Sequence, residues 1–562
     1  MSKIFDEILK ARGLTGKKRD AFLNPSYDAH HNPFLLPDMD KAVERLVTAR
    51  EKQEKITIYG DYDIDGLTAS TVLIDAFESF GFAHVDIFIP NRFVEGYGLT
   101  VEAVEKIAAK GANLIVTVDC GSLSEKEIVR AGELGVDIIV TDHHNVAPVQ
   151  PPAVAVINPK RLLQDYPNDY ENFLLKPDSS RQDAVYPFLD LAGVGVAFKL
   201  VQALQTRLEG LPDGQEKWLL DLVALGTVCD VVTLVDENRA NVYWGLKVMA
   251  RAHRPGLKAL MAVSGVEPSQ VNARSLGFGL GPRMNAAGRL ETAQYALDML
   301  RASDNDTALE KAQLLDDMNK ARRAEQDKIF KEAIVEAEQR ASDPVLVVSG
   351  EGWNHGIIGI VAAKLLEKYK KPTYVLEEMG DEAKGSARSY GDFSAADAIR
   401  AADDLITKGG GHKLAAGVTL PAKNIQAFRE RVNKFYRDQK LFDQQSLLLP
   451  KADTVADLSD VTEELVERIT RLEPFGNGNP QPVLVSEKVL VVNIRRMGAD
   501  AQHVKLEVQG GDKVTLQLLA FSAPEHFFVE PGEYVTVWYQ PDINEWNGRR
   551  TVEGRLLHLE AH

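Results

Sequence analysis

Asp61-Tyr62-Asp63-Ile64-Asp65-Gly66 sets three carboxylates at alternate positions directly after the β-rich run Ile56-Thr57-Ile58-Tyr59. Acids packed this closely repel one another unless a cation neutralises them. A calcium loop beginning D-x-D-x-D-G needs a bidentate Glu at its twelfth position and a helix in front of it. The twelfth residue counted from Asp61 is Val72, and the preceding run is a strand, so the calcium reading fails. What remains is an acidic cluster at the C-terminal end of a strand, where open α/β sheets bind their ligands.

Two further strands end in the same way, at Val118-Asp119-Cys120-Gly121 and at Thr141-Asp142-His143-His144. A single Asp at a strand end is usually a helix cap or a turn residue, and a single His is usually structural. Three acid-bearing strand ends in succession, one of them carrying two histidines, resist that explanation. Asp230, in GTVCDVV behind an apolar helix, is another candidate. Carboxylates with one or two imidazoles suit a pair of Mn²⁺ or Mg²⁺ ions and do not suit structural zinc. Far along the chain, Gly409-Gly410-Gly411-His412 reads either as a flexible loop or as a nest of backbone N–H groups for an anion, with His412 as a further donor.

The elements that must position these groups follow from periodicity. After Ile56–Tyr59 come a helical stretch from Leu67 to Phe80 closed by Gly81, a strand Val85 to Ile89 and a helix Val101 to Lys110. The strand Leu114 to Val118, the helix Ser124 to Leu134 and the strand Val136 to Val140 complete the series. This alternation predicts an α/β fold with a doubly wound parallel sheet. The polar stretch from Lys160 to Tyr186 reads as a surface insertion, and helices are expected from Val194 to Met249. Ser303 to Ala341 has no internal Gly or Pro. It predicts one long helix or a broken pair linking two domains, with Ser303 and Asp306 as its capping pair. A second α/β unit is expected from Pro344 to about Asp438. Beyond Leu447, five short strands (Val483 to Val492, His503 to Val508, Thr515 to Phe521, Tyr534 to Tyr539, Thr551 to Leu559) predict a small antiparallel barrel. Most aromatics among Phe521, Phe527, Phe528, Tyr534, Trp538, Tyr539 and Trp546 must fill its core, leaving one or two rings to stack on bases.

The expected organisation is a 1–45 N-terminal segment, a 46–300 catalytic domain, a 301–343 linker helix, a 344–440 phosphate-binding domain and a 447–562 nucleic-acid-binding barrel. The chain has 562 residues, and 65 Lys and Arg against 82 Asp and Glu give a net charge of −17. That balance argues against a general polyanion-coating protein, because phosphate affinity rests on Lys and Arg. It leaves room for an enzyme that focuses a few cations into one cleft. With only Cys120 and Cys229, a disulfide framework is excluded and a reducing cytoplasm is the expected home. No signal peptide is visible at the N-terminus.

GDYDIDG, VDCG, TDHH and LGTVCDVV, taken in order, resemble the motifs of the DHH phosphoesterase family. GPRMNAAGRL (Gly281 to Leu290), GWNHGIIGIVA (Gly352 to Ala362), KGSARS (Lys384 to Ser389), GGGHKLAAG (Gly409 to Gly417) and LEPFGNGNPQP (Leu472 to Pro482) extend the resemblance. They match that family's bacterial 5′→3′ exonucleases specific for single-stranded DNA, whose C-terminal barrel is of the OB type. The resemblance implies two divalent ions, Mn²⁺ or Mg²⁺, held by Asp63, Asp65, Asp119, His143 and Asp230, with Asp119 bridging them. His144 would face the scissile phosphate, while Asp61 and Asp142 would orient the ligands. Arg92, Ser386 and Arg388, with Gly410, Gly411 and His412, would hold a terminal 5′ phosphate. Arg283, Asn285 and Arg289 would contact the strand. Two departures stand out: a long stretch between Asn158 and Ala192, and Cys229 beside Asp230, a thiol open to oxidation.

The implied function is hydrolysis of single-stranded DNA to 5′-mononucleotides in repair and recombination. A single-stranded-DNA-binding protein and a repair helicase are the implied partners of a monomer. A nanoRNase or cyclic-dinucleotide phosphodiesterase of the same family is one alternative, but those are shorter and lack both GPRMNAAGRL and the barrel. An inactive replication-associated scaffold is another, and it should have lost ligands that this chain keeps.

Overall fold

The computed structural model of the chain describes residues 3–96, 98–165, 185–441, 445–498, 501–546 and 548–562. Most of the expected insertion from Lys160 to Tyr186 lies outside the described residues. The first sheet contains β1 (Ile56–Tyr59), β2 (Val85–Phe88), β3 (Leu114–Val118), β4 (Asp137–Thr141) and β5 (Ala155–Ile157). All are parallel, in the order β2-β1-β3-β4-β5. This is the expected doubly wound sheet, and the reversal of strand order beside β1 opens a crevice at its C-terminal edge. β1 and β3 are buried along their whole length, as strands covered on both faces must be. The three-residue β5 is too short to carry a periodicity.

The helix after β1 runs from Ile64 to Phe80, starting inside the acidic motif rather than at Leu67. Asp63 is its N-cap, accepting from the Gly66 N–H at 3.1 Å. The helices Gly193–Gln205 and Leu220–Cys229 pack against it and against each other.

The chain forms two compact units, one of residues 1–315 with 450–562 and one of residues 316–449. The linker is one unbroken helix, Asn305–Glu338. Its cap is Asp304, not the expected pair of Ser303 and Asp306. Asp304 directly precedes the first helical residue, so its carboxylate reaches the Thr307 N–H at 2.8 Å and the Thr307 hydroxyl at 2.9 Å. The second unit holds β6 (Leu346–Glu351), β7 (Thr373–Met379), β8 (Glu382–Arg388), β9 (Lys408–Gly411) and β10 (Ala415–Pro421), in the order β6-β7-β8-β10-β9.

The C-terminal barrel comprises β11 (Thr454–Val455), β12 (Leu484–Met497), β13 (His503–Gln509), β14 (Thr515–Ala520), β15 (Tyr534–Trp546) and β16 (Arg549–Ala561). It closes through β12 and β15. Two expectations are corrected here. β14 pairs with β16 in parallel, so the barrel is mixed rather than antiparallel. Three strands run to 13 or 14 residues, because a small closed barrel uses long, bent strands that each serve two neighbours. β12 accordingly has irregularities between Ser486 and Val489 and between Val491 and Asn493.

The N-terminal helix Lys3–Ala11 completes this barrel. Ile4, Phe5, Ile8 and Leu9 sit in one core with Leu465, Leu472, Leu484 and Leu506. Arg12 then clamps Asp453 through two hydrogen bonds of 2.7 and 3.1 Å. Ile8 is fully buried. Truncating it to Ala leaves a core cavity costing about 2–5 kcal/mol. Urea unfolding of Ile8→Ala is expected to show that loss; a change below about 1 kcal/mol would mean the helix only rests on the barrel surface.

Candidate metal centre and anion pocket

Three consecutive strand ends deliver the expected residues to one place. Asp61, Asp63 and Asp65 follow β1, Asp119 follows β3, and Asp142, His143 and His144 follow β4. Asp230 joins them as the residue that closes helix Leu220–Cys229. His143 Nε2 lies 3.1 Å from Asp119 Oδ1, 3.6 Å from Asp230 Oδ2 and 3.8 Å from Asp65 Oδ2. Three overlapping sets gather their ligand atoms within 4.8 Å: Asp61, Asp63 and Asp119; Asp65, His143 and Asp230; Asp119, His143 and His144. Asp119 and His143 each belong to two sets.

Local sequence explains how so many acids can be held together. Asp65 accepts from the N–H groups of Gly193 and Val194 at 2.6 and 2.8 Å, so the N-terminus of helix Gly193–Gln205 points at its carboxylate. Gly193 is needed for contact as well: a Cβ there would sit 2.7 Å from Asp119 Oδ1. Asp119 itself has φ of 61°, a left-handed conformation that non-glycine residues adopt at a cost and that clusters at functional sites. Gly66 and Gly226 are similarly tight, their added Cβ atoms falling 2.5 Å from Asp61 N and 3.0 Å from Asp65 Oδ1.

Asp142 differs from its neighbours. It accepts from the N–H groups of Ser122, His143 and His144 and from His144 Nδ1, at 2.7–3.0 Å. Burial alone would raise its pKa, but the hydrogen bonds from His144 hold it well below the usual carboxylate range. The same pair acts on His144: burial pulls the imidazole down, yet Asp142 outweighs that and leaves it above its ordinary value. His143 is pulled down to about 4, by burial first and then by the charge of His144. A neutral imidazole is the form that can bind a cation.

Asp61, Asp65, Asp119 and Asp230 are all raised, each by burial first and then by neighbouring carboxylates. Asp61 Oδ1, Asp119 Oδ1 and His143 Nε2 are buried with no hydrogen-bond partner among the described residues. Buried polar atoms are normally satisfied. Three that are not, converging from separate strand ends in an oxygen-rich set with one imidazole, fit a hard divalent cation. The Cys229 thiol is pushed up by burial and then by Asp63 and Asp65, which disfavours the thiolate.

One contributor, Asn158, carried no usable sequence signal, whereas Arg92, Arg283, Asn285 and Arg289 were expected. Asn158 Nδ2 donates to Ser122 Oγ at 2.8 Å and to the His144 carbonyl at 2.9 Å, fixing the loop after β4. Arg92 lies 4.2 Å over the Tyr62 ring, and its Nε is buried and unpartnered among the described residues. Arg283, Asn285 and Arg289 lie on helix Gly281–Leu290, which follows one π-helical turn, Leu276–Leu280. That helix reaches the acidic motif at Gly288, whose added Cβ would be 3.2 Å from the Tyr62 carbonyl.

In the second unit the glycines form neither a flexible loop nor a nest. Lys408–Gly411 is the edge strand β9, paired with β10, and successive N–H groups of an extended strand point in opposite directions. A cavity of about 520 Å³ is lined by His355, Lys384, Ser386, Lys408, Gly410 and Thr419 among others. Cross-strand register explains the lining. Thr419 sits between Lys384 and Lys408, and Gly417 sits between Ser386 and Gly410. Arg388 donates to Ser386 Oγ at 3.2 Å. Gly359 opens space beside both, since a Cβ there would lie 2.9 Å from Ser386 Oγ and 3.2 Å from Arg388 Nη2. Gly411 and His412 lie outside this lining, at the far end of β9. Lys384 and Lys408 were not singled out from sequence, because surface lysines are too common to signal anything.

Residues 55–227 match the DHH family, N-terminal domain; residues 342–438 match the DHHA1 domain; residues 452–558 match the RecJ OB domain. The chain is 37% identical over 549 residues to the single-stranded-DNA-specific exonuclease RecJ of Bacillus subtilis, a match spanning 97% of this chain and 66% of that protein. It is 33% identical to that of Escherichia coli, spanning 92% and 89%. Among solved structures, RecJ of Thermus thermophilus in complex with Mn²⁺ superposes with a TM-score of 0.80 at 28% identity, covering 99% of this chain and 76% of that one. An exonuclease RecJ bound to manganese is 32% identical with a TM-score of 0.59, over 71% and 94%.

Raised carboxylates carry protons at neutral pH that a cation must displace. Mn²⁺ binding is therefore expected to release protons at pH 7 and to tighten as pH rises. Titration calorimetry at pH 7 in buffers of different ionisation enthalpy measures the release directly. Identical apparent enthalpies across buffers would show that the carboxylates are already ionised.

Proposed function

Because the chain belongs to the RecJ family of single-stranded-DNA-specific exonucleases, we propose that it degrades single-stranded DNA from the 5′ end to 5′-mononucleotides, using two divalent ions, Mn²⁺ or Mg²⁺. The observation that carries this reading is the set of buried, unpartnered atoms on Asp61, Asp119 and His143 at three adjoining strand ends. Asp63, Asp65, Asp119, His143 and Asp230 would hold the ions, and Asp61, grouped with Asp63 and Asp119, adds a further carboxylate to the same set. The ions supply an activated water and charge stabilisation for the phosphoryl oxygens.

The protein's own groups do the rest. Asp142 fixes the ring of His144 through Nδ1, so that the opposite ring edge can meet a phosphate. Its raised pKa keeps His144 cationic further into the neutral range, suited to an anion. Arg283, Asn285 and Arg289 line one helix beside the acidic motif and are assigned to the incoming strand. A two-metal site does not itself select a strand end. We assign that task to Ser386 and Arg388 of the second unit, with Lys384 and Lys408 adding positive charge to their pocket; Arg92, in the first unit, is assigned a phosphate contact of its own. Glycine at 410 and 417 leaves its floor open, as an added Cβ meets nothing within 4 Å at Gly410 and only the Gly385 carbonyl, at 3.8 Å, at Gly417.

In the barrel, Tyr539 and Phe527 are core residues, whereas Phe521 is 65% and Tyr534 53% exposed. Phe521 packs edge-on against His503, and Arg496 lies over the Phe528 ring. These groups suit stacking and cation–π contacts with bases. Among the described residues no helix is long and apolar enough to cross a membrane. A cytoplasmic monomer working with a single-stranded-DNA-binding protein and a repair helicase is the setting this activity calls for.

Phe521→Ala should weaken binding of a long single strand by about 1–3 kcal/mol, roughly the worth of one stacked base. Filter binding at fixed salt reads it, and undiminished affinity would remove Phe521 from the interface. Losing a charge-assisted hydrogen bond costs roughly 1.5–3 kcal/mol, about ten- to hundredfold. Arg388→Ala is expected to lower kcat/KM by that factor on 5′-phosphorylated strands and much less on 5′-hydroxyl strands. Equal losses on the two matched oligonucleotides would make Arg388 a general phosphate contact and place end recognition elsewhere.

A further inference from the structure

Asp230 closes helix Leu220–Cys229, and the chain leaves that helix through Val231, whose φ is 63°. The left-handed position just after a helix is usually glycine, because a β-branched side chain collides with the backbone there. Val231 is 64% exposed, so its side chain gains little packing in return. The turn that aims Asp230 must be held from outside.

The holding contacts come from Phe475–Pro480, the lead-in to the barrel, some 245 residues further along the chain. Asn477 Nδ2 donates to the Val231 carbonyl at 2.8 Å. The Asn477 carbonyl accepts from the Leu234 N–H, also at 2.8 Å. The two bonds bracket the turn. Flanking glycines let the backbones meet: a Cβ on Gly476 would lie 2.7 Å from Leu234 Cδ1, and one on Gly478 would lie 2.9 Å from Thr233 Cβ. Behind them, Arg239 donates to the carbonyls of Leu472 and Glu473 at 2.8 and 2.7 Å, anchoring the lead-in to helix Asp236–Met249. On the other side of the loop, Asp190 Oδ2 accepts from the Thr233 N–H at 3.1 Å.

We propose that Asn477 is a positioning residue for Asp230: it clamps Val231 in its left-handed turn and thereby fixes the Asp230 carboxylate among the cation-binding groups. The inference rests on Asp230 being a metal ligand. It makes the barrel more than a separate strand-binding module, because its lead-in supports the metal centre of the catalytic domain. Asn477 is exposed, so its truncation leaves the core intact.

The test uses the full chain and titrates Mn²⁺ by calorimetry. Asn477→Ala should weaken Mn²⁺ binding about tenfold, the lower end for losing a group that orients a ligand. Its melting temperature without metal and its affinity for single strands in chelator should stay as in the wild type. Adding Val231→Asn should restore Mn²⁺ affinity, since asparagine tolerates the left-handed region without a clamp. Wild-type Mn²⁺ affinity in Asn477→Ala, or a loss that Val231→Asn does not repair, would overturn the proposal and leave the segment a simple tether. Asp230→Asn separates the two levels. If that variant binds Mn²⁺ normally, the ligand assignment itself fails; if it does not while Asn477→Ala does, only the clamp fails.

Discussion

Mutual repulsion among buried carboxylates is the constraint around which the catalytic unit is built. Asp61, Asp65, Asp119 and Asp230 meet in a space where burial already disfavours their charged forms. Hydrogen bonds could quench the repulsion, and at Asp142 they do: four donors hold that carboxylate ionised and fixed. The ligand atoms on Asp61, Asp119 and His143 are denied such partners. Environments that push like groups in opposite directions separate a structural acid from acids reserved for a cation. The parallel sheet makes this possible, because the neighbouring strands β1, β3 and β4 end side by side and bring their groups into shared sets.

Much of that centre is legible in the sequence because its signals are local. A strand followed at once by Asp or His fixes both the position and the direction of the side chain. The doubly wound sheet, the long linker and the second α/β unit are likewise written in periodicity. The parts that sequence does not disclose depend on contacts between distant segments. Helix Lys3–Ala11 reads as an ordinary amphipathic helix, and nothing in it says that its partner core lies more than 450 residues away. The barrel strands read short because an interior face shared by two neighbours, broken by irregularities in β12, blurs the alternation. GGGH suggests an anion nest by composition, but pairing with β10 draws those glycines into a strand. Ser303 and Asp304 compete for one cap, and the residue adjacent to the helix takes it.

Close approach and left-handed backbone are met by different residues at the site. At Gly66, Gly193 and Gly226 glycine removes side-chain volume so that helices can close on the carboxylates, and φ at these positions is ordinary. At Asp119 and Val231, by contrast, positive φ is taken by residues that have a Cβ. In Asp119 the strained residue is itself a proposed ligand. In Val231 it follows one, and the neighbouring segment supports it. Strain of this kind persists only where surrounding contacts over-determine the conformation.

The acidic balance of the chain can now be reconciled with a polyanionic substrate. A net charge of −17 repels DNA at distances beyond about 10 Å only weakly, because salt screens exposed charges over that length. Inside that range the local arrangement decides. The carboxylates proposed to hold the cations would be paired with them in the loaded site, which would turn their charge from a repulsion into a scaffold. Arg92, Arg283 and Arg289 in the first unit and Arg388 in the second lie in the motifs assigned to the strand and its end. Affinity resting on the proposed arginine contacts and on base stacking on the barrel would favour a strand that is already unpaired. A duplex keeps its bases stacked on one another and offers the barrel rings no free faces. Selectivity for single strands then follows from how little non-specific phosphate attraction the protein has to offer.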